Sequence, residues 1–276
     1  MITDFFQYDF LLPALIGITL LSIMTGFISP LLCANHFAFI GSAISHSTIL
    51  GLAIGLWLFN MEQTVAIYAT TFLITSVAVM LLAFANQRAK LPSDSLIGVF
   101  YTSTMALGLI LFSINPRAQG QMNSFLFGNI LLLTKADLWI LVLTTLVVFA
   151  IVYSFHKKWW LMSLNPEAAE IQGINILYMQ YLFFLIITLV TVVSLKLTGT
   201  ILINTLLILP GSFALRFSRR LHTVFIYSIL FSLITSFIGL VLANHYELPP
   251  GSSLATVQFF CFLLSFLLEK VARLKV

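Results

Sequence analysis

Charge is scarce in this sequence: of its 276 residues only 8% are Asp, Glu, Lys or Arg, while 60% are hydrophobic. Soluble domains carry about 25% charged residues, so this chain has too few to coat a water-facing surface. A mean hydropathy of +1.07 says the same. Cysteine is nearly absent too. Cys33 and Cys261 lie far apart, which excludes zinc-finger spacing and reads as two free thiols in or beside helices. No GxxxxGK[ST] occurs, so the chain has no P-loop with which to bind ATP. No HExxH, no paired intramembrane aspartates and no buried Ser–Lys pair argue for an intramembrane protease. The net charge of +4 does not point to nucleic acid, because the basic residues sit at span boundaries rather than on one surface.

What is present is a series of apolar runs, near 10–30, 40–60, 64–85, 94–113, 137–155, 177–195, 199–215, 222–243 and 253–269. At ~20 residues per span, these give an all-α polytopic membrane protein with eight or nine transmembrane helices and one domain over 1–276. The run at 199–215 is the shortest and holds Pro210, so eight spans plus a broken or re-entrant segment is the alternative. The first run, Phe10–Pro30, has no Lys or Arg before it and no small-residue cleavage site. It reads as a retained span rather than a secretory signal. The first nine residues suit a short interfacial helix.

Lys and Arg set the orientation. With nine spans, Arg88, Lys90, Lys157, Lys158, Arg216, Arg219, Arg220, Lys270, Arg273 and Lys275 fall on one side, and Arg117, Lys135 and Lys196 on the other. The richer side is cytoplasmic, so the N-terminus is expected outside and the C-terminus inside.

Two connections exceed a turn. The outer one, Ile114–Ala136, contains Phe125–Leu133, which is apolar but too short to span, and suits a re-entrant or surface helix. The inner one runs from His156 to Asn175. There Asn165 suits an N-cap, Pro166 the first helical position, Glu167 the first turn and Gly173 the helix end. This predicts a short amphipathic helix against the membrane or a cytosolic partner, with Trp159 and Trp160 in the interfacial aromatic belt.

The chemistry points to Phe39–Gly55, FIGSAISHSTILGLAIG. Ionisable groups within a membrane are costly and therefore functional suspects. Most charges here are peripheral, and His46 is the exception, about seven residues or ~10 Å into its span. Neutral imidazole suits zinc and other transition metals, and it also serves as a hydrogen-bonding link between helices. Ser42 lies one turn before His46 on the same face. Ser45, Ser47 and Thr48 form a hydroxyl-rich collar that suits a hydrated pathway or close helix packing. Gly51 and Gly55 permit close helix approach. Asp94 and Asp137 begin spans and read as caps or first-turn charges. His245 and Glu247, in NHYELPPG, read as a solvated turn or an attractor for incoming cations.

These residues resemble the permease subunits of bacterial zinc/manganese ABC importers. The second span of that family reads like GDALSHSxLPGxAxG; here Gly41–Gly55 read GSAISHSTILGLAIG. The acid before IG and the later AxG of the family are matched by Asp94–Val99 and Ala106–Gly108. Leu126–Leu138 is similar to its LFGSILxxxxxDL, and Asn165–Ile174 to DPExAxxxGI. Gly199–Arg216 is similar to GTLLVxALLILPAATAR, and Leu248–Ala255 to a PxGxxxV ending. Each match is weak alone; six in family order are specific.

The resemblance implies an ABC importer permease fold forming a homodimeric or pseudo-dimeric pore in the inner membrane. It implies a separate cytosolic ABC ATPase, an external metal-binding protein, and Zn²⁺ or Mn²⁺ as the transported ion rather than a resident cofactor. It places the metal at His46 and Ser42, with Ser45, Ser47 and Thr48 lining the path. One departure matters. The family's aspartate four residues before the histidine is Ser42 here, so the site lacks an anionic oxygen. A carboxylate elsewhere, a more fully hydrated ion, or selectivity leaning from Mn²⁺ towards zinc are the ways to accommodate that. For contact with the ATPase, the turn Arg216–His222 with Arg216, Arg219 and Arg220 is favoured. The alternative is the Asn165–Gly173 helix with Glu167 and Gly173.

Overall fold

A computed structural model of the chain describes residues 11–59, 63–88, 93–115, 128 and 133–273. Among them the chain forms nine helices: α1 (Leu11–Ala34), α2 (Ala38–Leu58), α3 (Thr64–Arg88), α4 (Ser93–Ile114), α5 (Lys135–Leu164), α6 (Pro166–Ile171), α7 (Ile176–Phe217), α8 (Leu221–His245) and α9 (Pro250–Arg273). The expected helix in the first nine residues and most of Phe125–Leu133 lie outside the described residues.

Helix α7 is two spans in one run. Its halves, Ile176–Leu195 and Leu197–Phe217, are each long and apolar enough to cross a membrane. They meet at Gly199, whose φ of 66° and ψ of 174° suit only a residue without Cβ. Neighbours show that the chain turns back there. Trp159, late in α5, donates its indole N–H to the Met179 carbonyl at 3.0 Å, which ties the start of α7 to the end of α5. Leu197 instead packs beside Gly17 and Leu138, near the starts of α1 and α5. Ile208 and Gly211 then come back against Cys33 and Ser29, at the far end of α1. With that reversal, eight helices among the described residues are long and apolar enough to span, and α9 adds a shorter apolar piece, Pro250–Phe266. This piece begins beside Gly239 of α8 and ends where the Arg216 guanidinium sits over the Phe266 ring, 3.4 Å from its centroid. Between those points its Ala255, Thr256 and Phe259 line a groove with Asn204, Thr205 and Ile208 of the second half of α7.

The core is formed mainly by α1, α2 and α7, and α3, α4 and α5 each also turn large apolar side chains outward. Val65, Leu73, Val77 and Leu81 make one exposed stripe on α3, at multiples of four residues, and Trp139, Leu143 and Val147 do the same on α5. In water such stripes would be a liability; against lipid they are the solvated face. Lipid also removes most of the hydrophobic drive for helices to associate, leaving close packing and hydrogen bonds to hold the bundle.

The seam between α1 and α7 shows how. Pro210 cannot donate to the helix ladder, and α1 supplies partners to the loosened backbone. The Gly211 N–H donates to Ser29 Oγ at 2.7 Å, and Cys33 Sγ donates to the Ile208 carbonyl at 3.3 Å. Neighbouring side chains that re-satisfy freed backbone groups are what let proline persist within a span.

The short helix expected after Asn165 forms as its sequence predicts. Asn165 Oδ1 accepts the Ala168 N–H at 3.0 Å, and Pro166 begins α6. Gly173, with φ 78°, closes the helix, its N–H donating to the Glu170 carbonyl and that of Ile174 to Ala169. Trp159 departs from expectation. It is 0% exposed rather than part of an aromatic belt, because the Met179 carbonyl satisfies its N–H inside the core.

Candidate functional site

His46 lies in the interior of α2, half-buried, with neighbours from two other helices. Its ring packs on Tyr101 of α4 with centroids 4.7 Å apart. Its Nε2 faces the side-chain nitrogen of Asn204, on the second half of α7, at 3.4 Å. His46 Nδ1 and Asn204 Oδ1 are both buried without a hydrogen-bond partner. Buried polar atoms are mostly paired; nine side-chain ones among the described residues are not, and two of these lie here on touching side chains.

The collar around His46 divides by direction. Ser42 is half-buried, one turn before His46 on the same face. Ser45, Ser47 and Thr48 are buried and donate to their own helix: Ser45 to the Gly41 carbonyl at 3.0 Å, Ser47 to Ala43 at 2.7 Å, Thr48 to Ser45 at 2.6 Å. Ser47 also meets the Thr104 hydroxyl of α4 at 3.0 Å, linking the two helices. Gly51 and Gly55 serve close approach to α3. A Cβ at Gly51 would stand 2.8 Å from the Thr71 carbonyl oxygen, and one at Gly55 would stand 3.2 Å from that of Ile67.

Asp137 caps α5. Its carboxylate accepts from Thr134 N–H at 3.0 Å and Thr134 Oγ1 at 2.7 Å, with the Tyr68 hydroxyl of α3 at 3.4 Å. Among the described residues no three His, Cys, Asp or Glu side chains gather into a metal-binding group. The candidate site among the described residues is thus a neutral set of imidazole, amide and hydroxyl.

The two segments expected to contact an ATPase differ in form. Arg219 and Arg220 are exposed in the short turn between α7 and α8, whereas Arg216 is half-buried over Phe266. Glu167 and Gly173 belong to α6 and its end, both exposed, and Ile171 beside them is 87% exposed.

Sequence reasoning found His46 but missed Asn204 and Tyr101. A signal for Asn204 was available: it is an amide in the middle of an apolar run, at the position the family pattern GTLLVxALLILP leaves open. Tyr101 carried no comparable mark.

The sequence model of the ABC 3 transport family matches residues 7–269. The chain belongs to that family. Relatives agree along nearly its full length. The manganese transport system membrane protein MntC of Listeria monocytogenes is 31% identical over 261 residues, covering 95% of this chain and 91% of MntC. The high-affinity zinc uptake system membrane protein ZnuB of Haemophilus influenzae is 27% identical over 259 residues, 94% of this chain and 97% of ZnuB. Among solved structures, PsaBC from Streptococcus pneumoniae in complex with Fab superposes with a TM-score of 0.86 at 26% identity, covering 96% of this chain and 95% of that one. The chain is therefore a multi-pass membrane permease of the ABC 3 family, with the helical architecture its motif order predicted.

Proposed function

We propose that this chain is the membrane-spanning subunit of an importer that carries a divalent metal ion, zinc or manganese, across the bacterial inner membrane. A second copy completes the pore, a cytosolic ABC ATPase supplies the energy, and a metal-binding protein delivers the ion from outside. The N-terminus then lies outside and the C-terminus in the cytoplasm. The observation that carries this reading is the His46–Asn204 pair, two polar side chains with unsatisfied buried atoms deep in a permease of this family. An apolar substrate would have no use for it. A cation would, because imidazole nitrogen and amide oxygen can replace part of its water shell. His46 and Ser42 are the α2 residues that meet the ion, while Ser45, Ser47 and Thr48 hold that face of α2 in place. The relatives named for manganese and zinc support the same class of cargo. Cells lacking the gene and starved of metal by a chelator should hold less zinc or manganese than their parent. Unchanged contents of both would remove the reading.

Nucleotide-driven movement has to enter the permease from its inner end. Helix α6 suits that role better than the turn before α8. It is a capped unit packed against the ends of the neighbouring spans through buried Ala169, and Ile171 exposes an apolar side chain between Glu170 and Gln172, as a surface covered by a partner does. Arg219 and Arg220 stand on a connection of the same inner end and add charge. Ile171→Glu should abolish most ATPase binding while the permease still inserts, and charge reversal at Arg219 and Arg220 should weaken it. Co-purification of the two subunits reads both. If only the arginine reversal released the ATPase, the turn would be the docking element instead.

A further inference from the structure

Resting on the reading of His46 as an ion contact, we propose that Asn204 is the oxygen ligand beside it, replacing the carboxylate that Ser42 does not provide. Two ligands bound to one tetrahedral zinc at ~2.1 Å each stand ~3.4 Å apart, and the His46 and Asn204 side-chain nitrogens are 3.4 Å apart. An amide turned over about its last bond places Oδ1 where Nδ2 stands. The pair then already has the spacing of two neighbouring corners of a coordination shell.

Hydrogen-bond pairing at this place is incomplete. At 3.4 Å the amide lies beyond the usual reach of an N–H donor, so the Nε2 lone pair is only weakly engaged. Asn204 Oδ1 is buried and has no donor. With the amide turned over, a cation between them engages the Nε2 lone pair and Oδ1 at once; an Nε2–H tautomer donating to Oδ1 is the metal-free alternative.

Asn204 also lines an open, mostly apolar groove of about 440 Å³ between the second half of α7 and α9, with Thr205 and Thr256 as its polar neighbours. Asn204 therefore borders that groove on one side and touches His46 on the other. The resulting site is neutral. Hard oxygen anions favour manganese, whereas an imidazole-based site without one favours zinc. The identity of residue 204 then bears on which metal passes.

The test uses the permease reconstituted with its ATPase and measures radioactive zinc and manganese uptake. Variants are Asn204→Ala, Asn204→Asp, His46→Ala and the double change Asn204→Ala with Ser42→Asp. Asn204→Ala should raise the half-saturating zinc concentration at least about tenfold, as loss of groups around a metal site does. Asn204→Asp should keep transport and raise the manganese-to-zinc ratio. Ser42→Asp should restore uptake to Asn204→Ala, which a purely packing role for Asn204 would not allow. Failure of both aspartate variants to transport would overturn the proposal. So would normal uptake by Asn204→Ala when His46→Ala is inactive, an outcome that leaves the metal reading intact. Normal uptake by both alanine variants would refute that reading itself.

Discussion

His46→Ala should reduce ATP-driven metal uptake by about 100-fold while the protein still inserts and purifies as a folded permease. The size follows from what is removed. Imidazole is the one strong neutral ligand at this level of α2, and its companions are an amide and a hydroxyl, which hold a divalent ion poorly by themselves. Groups supporting a metal site cost 10–100-fold when lost, and a direct ligand belongs at or above the top of that range. Folding should tolerate the change. His46 is half-buried, its hydrogen bond to Asn204 is long, and its remaining contact is the Tyr101 ring. Uptake assays on variants matched for membrane content check the loss. A small shift in melting temperature together with abolished transport separates an ion contact from a packing residue.

Gly211→Leu should have the largest effect on stability. At Gly211 the backbones of α1 and α7 touch, and any Cβ there would be driven into the Ser29 carbonyl group and against Ser29 Oγ at 2.6 Å. Overpacking a filled core costs about 1–3 kcal/mol and sometimes more. Here the obstacle is backbone, which cannot swing aside as a side chain does. The substitution also pushes Ser29 Oγ away from the Gly211 N–H that it caps. A loss of more than ~3 kcal/mol follows, enough to prevent accumulation of folded protein. Gly173→Leu is the control. A Cβ at Gly173 meets open space, and the penalty comes only from its φ of 78°, about 1 kcal/mol. Thermal unfolding in detergent should show the second variant folded and the first not. A Gly211→Leu protein that melted like the parent would mean that α1 and α7 do not meet at this point.

The features legible in the sequence are those encoded by neighbours along the chain. Apolar runs marked the spans because lipid demands an unbroken hydrophobic segment. Asn165, Pro166 and Gly173 marked α6 because caps are local hydrogen bonds. Asp137 read as a cap for the same reason, with Thr134 three residues before it. His46 stood out because an ionisable group in a span has to be explained. Features made by distant pairs were hidden. Asn204 lies 158 residues from His46, and nothing local to either names the other. Trp159, next to Lys157 and Lys158, carries the composition of an interfacial belt. It turns inward only because Met179, twenty residues on, offers its carbonyl. The shortness of the run at 199–215 left a re-entrant segment open, and the Gly199 reversal with Ile208 and Gly211 against α1 is what makes it a paired span.

Coupled uptake in a purified system bears most directly on the account. The permease, its ATPase and the external binding protein are reconstituted in sealed vesicles, and zinc and manganese entry is followed with and without ATP. The account predicts accumulation of at least one of these ions that requires ATP and both partner proteins, and that His46→Ala abolishes. Entry through the permease alone, driven by a proton gradient and indifferent to ATP, would contradict it.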